Sequence, residues 1–358
     1  MTSPYAGLSP RAFWRTAVSE AAPLDPGDLY RPKFLIDRNT RIATAGSCFA
    51  QHVGRALREN GFRVLDAERL PPAVPDLAAQ RFGYRLFSAR YANIYTARQL
   101  AQLYDEAESH VQPALPVWRK DGRFYDAQRP GVEPDGLDSD ELVRIHRAKH
   151  LARVLHAFHR ADLFVFTFGL TEAWVHQRSG TVYPTAPGTI AGAFDPDTFA
   201  FHNFDAAETL SDFERFRERL RIANPGVRFL VTVSPVPLTA TASGAHVEVA
   251  TCYSKSVLRA VCGMLEARYD DVDYFPSYEL ITAQKARGAY YESNQRNVSS
   301  IGVAAAMRLF LRAHGVIEEK TTTDPSSARR RHGTRPSARP SDGQEEACEE
   351  ALLEAFAR

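Results

Sequence analysis

The sequence predicts a parallel, doubly wound α/β sheet. Short apolar runs recur at residues 42–45 (IATA), 163–168 (LFVFTF) and 227–233 (VRFLVTV), with a shorter strand at 272–275. Runs this continuous suit strands covered on both faces. Stretches with helical spacing of apolar residues separate them, and strand–helix alternation is the pattern of crossover connections. Small or polar turns follow three of the strands directly: Gly46-Ser47-Cys48, Gly169-Leu170-Thr171-Glu172 and Ser234-Pro235.

Taken in order, residues 1–37 are Pro-rich and dotted with aromatics (Phe13, Trp14, Tyr30, Phe34), which reads as an arm packed on the core. Residues 38–317 read as the α/β domain. Its first strand and turn lead into a helix from Phe49, with Phe49, Val53, Ala56 and Leu57 on one face. Gly61 stops that helix before a second strand at 62–65. Prolines 71, 72 and 75 make residues 66–95 mostly loop. Thr96 caps a helix over 97–107. Residues 109–138 read as a small hairpin insertion, and the acidic run from Asp138 opens a long helix to 160. After the 163–168 strand, residues 175–204 read as irregular. Helices are expected at 204–223, 248–269 and 301–314. From residue 318 the chain turns Pro/Ser/Arg-rich and reads as a disordered tail. Within it, 344–358 can form a short amphipathic helix, either transient or a docking peptide.

Composition excludes several classes. There are 44 basic and 43 acidic residues, which gives no electrostatic reason to expect nucleic acid or an acidic membrane as partner. No run approaches the ~18 apolar residues of a membrane span. The first residues carry prolines and a Trp where a signal peptide has an apolar core, so the expectation is a cytoplasmic protein. The four cysteines are far apart, without a CxxC pair; no metal site, disulfide framework or cofactor is expected.

In open α/β sheets the ligand site lies beyond the carboxyl ends of the strands. The turns at Gly46, Gly169 and Ser234 should therefore share one edge. A nucleophile at the first turn, Ser47 or Cys48, would also meet the positive end of a helix.

AGSCFAQHVGRAL (residues 45–57) resembles the name-giving motif of the GSCFA family, which is grouped with the SGNH hydrolases. SARYANIYTARQL (88–100), FTFGLTEAW (166–174), PTAPGTIAGAF (184–194), TVSPVPLTAT (232–241), YSKSVLRAV (253–261) and YFPSYEL (274–280) match in family order. The resemblance implies a flavodoxin-like fold and ester chemistry through an acyl-enzyme. SGNH enzymes carry Gly-Asp-Ser at the first turn. Setting Gly46 on that Gly puts Cys48 on the nucleophilic Ser and leaves Ser47 as a helix cap. The other register makes Ser47 the nucleophile. Their Gly-x-Asn-Asp block resembles Gly169-Leu170-Thr171-Glu172. Thr171 would then donate to the oxyanion, and Glu172 would orient a base or bind a substrate hydroxyl. Trp174 can stack on a sugar or acyl chain or simply pack, and Asn93 can serve as an amide donor or a turn residue.

The largest departure is at YYESNQRNVS (290–299). There Asn294 and Asn297 stand where the superfamily has Asp-x-x-His, and neither is a base. Candidate substitutes are His246, then His202. His52, four residues after Cys48, reads as structural, and Lys255 reads as a base or anion clamp or, more simply, as a solvated helix charge. Arg296 can bind an anionic group of the substrate. The expected activity is ester hydrolysis or acyl transfer on an acylated carbohydrate or other hydroxylated substrate. The alternative is a binding or adaptor protein that keeps the pocket without the Asp–His pair.

Overall fold

A computed structural model describes residues 3–317 and 349–357. The disordered segment expected from residue 318 lies largely outside the described residues, which resume as a 3₁₀ helix at Glu349–Phe356.

Five strands form the central sheet: β1 (Arg41–Gly46), β2 (Arg63–Val64), β5 (Leu163–Phe168), β9 (Arg228–Val233) and β10 (Val272–Tyr274). They lie in the order β10-β9-β5-β1-β2, and every pairing is parallel. Numbered within the sheet, this is the flavodoxin-like order 2-1-3-4-5. The apolar runs become strands because both faces are covered: all six residues of β5 are buried. On one face pack α3 (Ala97–Ser109), α4 (Asp140–Arg160), α5 (Ala206–Ala223) and α6 (Val247–Arg268), through a cluster centred on Phe158, Phe164, Phe213, Phe216 and Phe229. On the other lie α1 (Phe49–Glu59), α7 (Ser277–Ile281) and α8 (Ser300–Ala313). Helix starts follow their caps: Thr96 accepts from the Gln99 amide, Ser139 from Leu142, and Asp205 forms a capping box with Glu208.

Two segments differ from the sequence reading. A short helix, α2 (Asp76–Arg81), lies in the stretch read as loop, started by Pro75. The stretch at 175–204 is not irregular. With the residues just before it, it builds a three-stranded antiparallel sheet from β6 (Glu172–His176), β7 (Val182–Tyr183) and β8 (Phe199–Asn203). Only the two residues of β7 interrupt the long Gly/Pro-rich connections there, which hid the pairing. The hairpin expected in 109–138 is present as β3 (Val117–Lys120) and β4 (Arg123–Asp126).

The N-terminal arm is held by its second half. The Tyr30 hydroxyl and the Lys33 amide both donate to Asp273 Oδ2, at 2.8 and 2.9 Å. Trp14 is 65% exposed and anchors nothing. Among the described residues no helix is long and apolar enough to cross a membrane.

Candidate functional site

The strand order reverses between β1 and β5, so the crevice outside their carboxyl ends is where this fold places a ligand. Gly46 ends β1 with φ +136°, and a Cβ there would stand 2.5 Å from the Thr167 carbonyl oxygen. Only glycine satisfies both the angle and the space. Ser47, just past the strand, keeps one ladder contact: its N–H donates to Thr167 O at 3.1 Å. Cys48 has helical angles (φ −52°, ψ −36°), so the chain turns into α1 at that residue. The Ala50 and Gln51 amides then close on the Ser47 and Cys48 carbonyls at 2.9 and 3.0 Å. The expectation that Ser47 caps this helix is corrected. Helix α1 has no side-chain cap, and the buried Ser47 Oγ has no hydrogen-bond partner.

Across the crevice, Ser47 Cβ lies 2.9 Å from where a Cβ on Gly169 would stand. Tyr95 O accepts from both the Gly169 and Leu170 amides at 3.0 Å, and the Ile94 amide donates to Gly46 O at 2.9 Å. The segment around Asn93 therefore runs across the sheet end. Asn93 is buried. Its Oδ1 accepts from Gln51 Nε2 at 3.1 Å and its carbonyl from Gln99 Nε2 at 3.0 Å, which ties α1 to α3. Thr167 and Thr171 are buried, and their hydroxyls, like that of Ser47, have no partner. Three such hydroxyls at one strand end are uncommon, because buried polar atoms are usually paired. Ser234 closes β9 with its amide on Phe168 O at 2.8 Å.

Lys255 is the residue whose surroundings the sequence hid. It is not solvated: it is 1% exposed, and its Nζ donates to Gly169 O at 2.7 Å. Its neighbour Ser254 accepts from the Thr171 amide at 3.1 Å. Helix α6 thus holds the Gly169–Thr171 turn from below. Spacing carried the signal, since Lys255 precedes Leu258, Cys262 and Leu265 on one buried stripe.

Glu172 starts β6 and faces a cavity of about 190 Å³ with Tyr95, Trp174, Tyr183, Phe201 and Thr241. Leu353 of the C-terminal 3₁₀ helix also lines it. Glu172 and Trp174 share a face by strand alternation, opposite Asn203 and Phe201. Burial raises the Glu172 carboxyl above its ordinary value, opposed by the Thr241 hydroxyl, which donates to Oε1 at 2.7 Å, and by the Ala242 amide. Trp174 is flanked edge-on by Phe194 and Phe201, with ring centroids 5.1 and 6.0 Å away.

The 290–299 stretch forms a tight hairpin. Asn294 Oδ1 accepts the Arg296 and Asn297 amides at 3.0 and 2.9 Å, and the Glu292 amide donates to Asn297 O at 2.8 Å. Arg296 is half-buried in this turn. Tyr291 donates to Pro235 O at 2.9 Å, which brings the hairpin to the loop after β9. Cys48 joins the buried cluster that contains Val236 of that loop and Val298 of the hairpin. His246 is a helix cap, 68% exposed, whose Nδ1 accepts from the Glu248 amide at 3.2 Å. His202 pairs with Glu208 at 2.9 Å and stands on the opposite face of β8 from Phe201. His52, one turn beyond Cys48, lines an open groove between α1 and α8 with Glu292, Val298 and Ser300. Among the described residues no group of three or more His, Cys, Asp and Glu is placed to hold a metal ion.

No curated protein compared with the chain matches it. The GSCFA family model matches residues 41–310, from the start of β1 into α8 and so across every element that frames this crevice; the chain belongs to the GSCFA family.

Proposed function

We propose that this protein is an SGNH-like ester hydrolase or acyltransferase that works through an acyl-enzyme on Cys48. The substrate class is an acylated carbohydrate or another hydroxylated ester. One observation carries the reading: Cys48, not Ser47, opens α1 at the crevice between β1 and β5. A thiol there lies at the positive end of an 11-residue helix, which favours its thiolate. Its sulfur would add to the ester carbonyl, the alcohol would leave, and water or a second hydroxyl would take the acyl group from the thioester. The Thr171 hydroxyl, buried without a partner, is available to the oxyanion. Glu172 and Trp174 suit a hydroxylated substrate, one as a hydrogen-bond acceptor and the other as a stacking surface. The chain works in this reading without a cofactor.

The test is acylation and turnover of activated esters by the parent chain and two variants, with thiol- and hydroxyl-directed probes in parallel. Cys48→Ser should lose at least about 100-fold in turnover, whereas Ser47→Ala should keep most of it. The reverse pattern would assign the nucleophile to Ser47.

A second reading, a binding protein without turnover, is favoured by two features. Cys48 is only 2% exposed, and Asn294 and Asn297 are engaged in holding their own turn. In that case the parent binds a hydroxylated ligand in the Glu172 cavity and hydrolyses no ester.

A further inference from the structure

We propose that His52 supplies the base that the 294–297 turn lacks, with Glu292 as the carboxylate that orients it. The proposal rests on the reading of Cys48 as a nucleophile and names the residue that would serve it.

Helical geometry already holds at Cys48, so α1 effectively runs through it and His52 lies one turn on. Side chains at that spacing share a face, with Cβ atoms ~5–6 Å apart. The two histidines of the H-E-x-x-H motif stand at the same spacing and meet on one zinc ion, so side chains so placed reach a common atom. His52 is half-buried, its ring 6.0 Å from that of Phe49. It lines the groove between α1 and α8 together with Glu292, Val298 and Ser300, and Val298 shares a buried cluster with Cys48. The hairpin that carries Asn294 and Asn297 in place of an acid and a base therefore places its own Glu292 on the same groove as the histidine of α1.

The step balances without a co-reactant. The Cys48 thiol passes its proton to the imidazole, and the thiolate adds to the ester carbonyl carbon. The imidazolium returns the proton to the departing alkoxide as the C–O bond breaks. In the second half, His52 takes a proton from water or an acceptor hydroxyl as it attacks the thioester, and the thiolate leaves. The charged groups lining the groove around His52 are Arg55 and Glu59 from α1, Glu292 from the hairpin and Arg308 from α8.

The experiment is iodoacetamide alkylation of the full native chain from pH 5 to 10, with Cys48 followed by peptide mass spectrometry and the exposed Cys252 as internal control. In the parent, the Cys48 rate should inflect well below the free-thiol value of ~8.5. His52→Gln should move the inflection up by about one unit, a roughly tenfold slower reaction at pH 6.5, with Cys252 unchanged. Glu292→Gln should shift it in the same direction by less. His52→Asn, with a preserved thermal midpoint, guards against misfolding of the first variant. An inflection that ignores His52 overturns the assignment. If the inflection depends on His52 but no ester turns over, the enzymatic reading fails and the pair stands. If Cys48 reacts only after unfolding, both fail.

Discussion

Glu172 shows how one buried carboxyl links the site to stability. Burial holds its folded-state pKa above the ordinary glutamate value. The folded protein therefore binds this proton more tightly than the unfolded chain does. Its contribution to stability is present below the ordinary pKa of ~4.3 and is lost as pH rises through the raised value. Glu172→Gln keeps the shape and removes the titration. The variant should gain on the parent as pH climbs from 4 to 7 and match it at the acid end. Urea midpoints at several pH values check this, and a difference that stays constant with pH would contradict it. Residues at this scale were the least legible in the sequence. Lys255 looked like a surface charge because α6 is long and its register was open, and Ser47 looked like a cap because small hydroxyls usually cap. The packing of Gly169 against Ser47 takes the hydroxyl away from the helix end, and no local pattern announces that contact.

At the scale of elements the crevice depends on how closely β1 and β5 continue past their last paired residues. A Cβ on Gly169 would meet Ser47 Cβ at 2.9 Å and Tyr95 O at 3.2 Å. Backbone carbonyls do not yield as a flexible side-chain end does. Gly169→Ala should cost about 1–3 kcal/mol, read from a denaturation midpoint, and should slow Cys48 chemistry by shifting the turn. A stability change within about 0.5 kcal/mol would show that the turn gives way freely. The central strands were legible because continuous runs such as LFVFTF can only be buried. The sheet of β6, β7 and β8 was not, because its strands carry Glu172, Trp174, His176 and Asn203 on one face and His202 on the other. Those side chains answer to the cavity and to Glu208 rather than to a two-sided core, so the strand period is present but its polarity is irregular.

For the whole molecule, the tail is the natural test of independence. Residues 318–342 carry few apolar side chains. Among the described side chains at 352–357 only Leu353 is half-buried, where it lines the Glu172 cavity. Ending the chain at Glu318 should shift the thermal midpoint by less than about 2 °C, as expected when under ~1 kcal/mol is lost. A larger drop in a calorimetric scan would mean that the tail is part of the folded core. The fold class was legible at this scale from alternation alone, and the order of the strands agrees with it. The partition of function between crevice and cavity was not, because it arises from loops that meet only after the sheet has formed.

That meeting has a kinetic consequence. Arg41, at the head of β1, binds the Asp162 carboxylate through its amide at 2.8 Å across 121 residues of chain, and the two central strands pair from there. Closing so long a loop costs entropy before any contact repays it, which places this chain among slow folders. During synthesis β1, α1 and β2 emerge well before β5. Until β5 arrives, the apolar edge of β1 stays open to any other strand nearby. The thiol turn is thus made early but acquires its opposing wall late, so an incomplete chain carries Cys48 without the crevice around it.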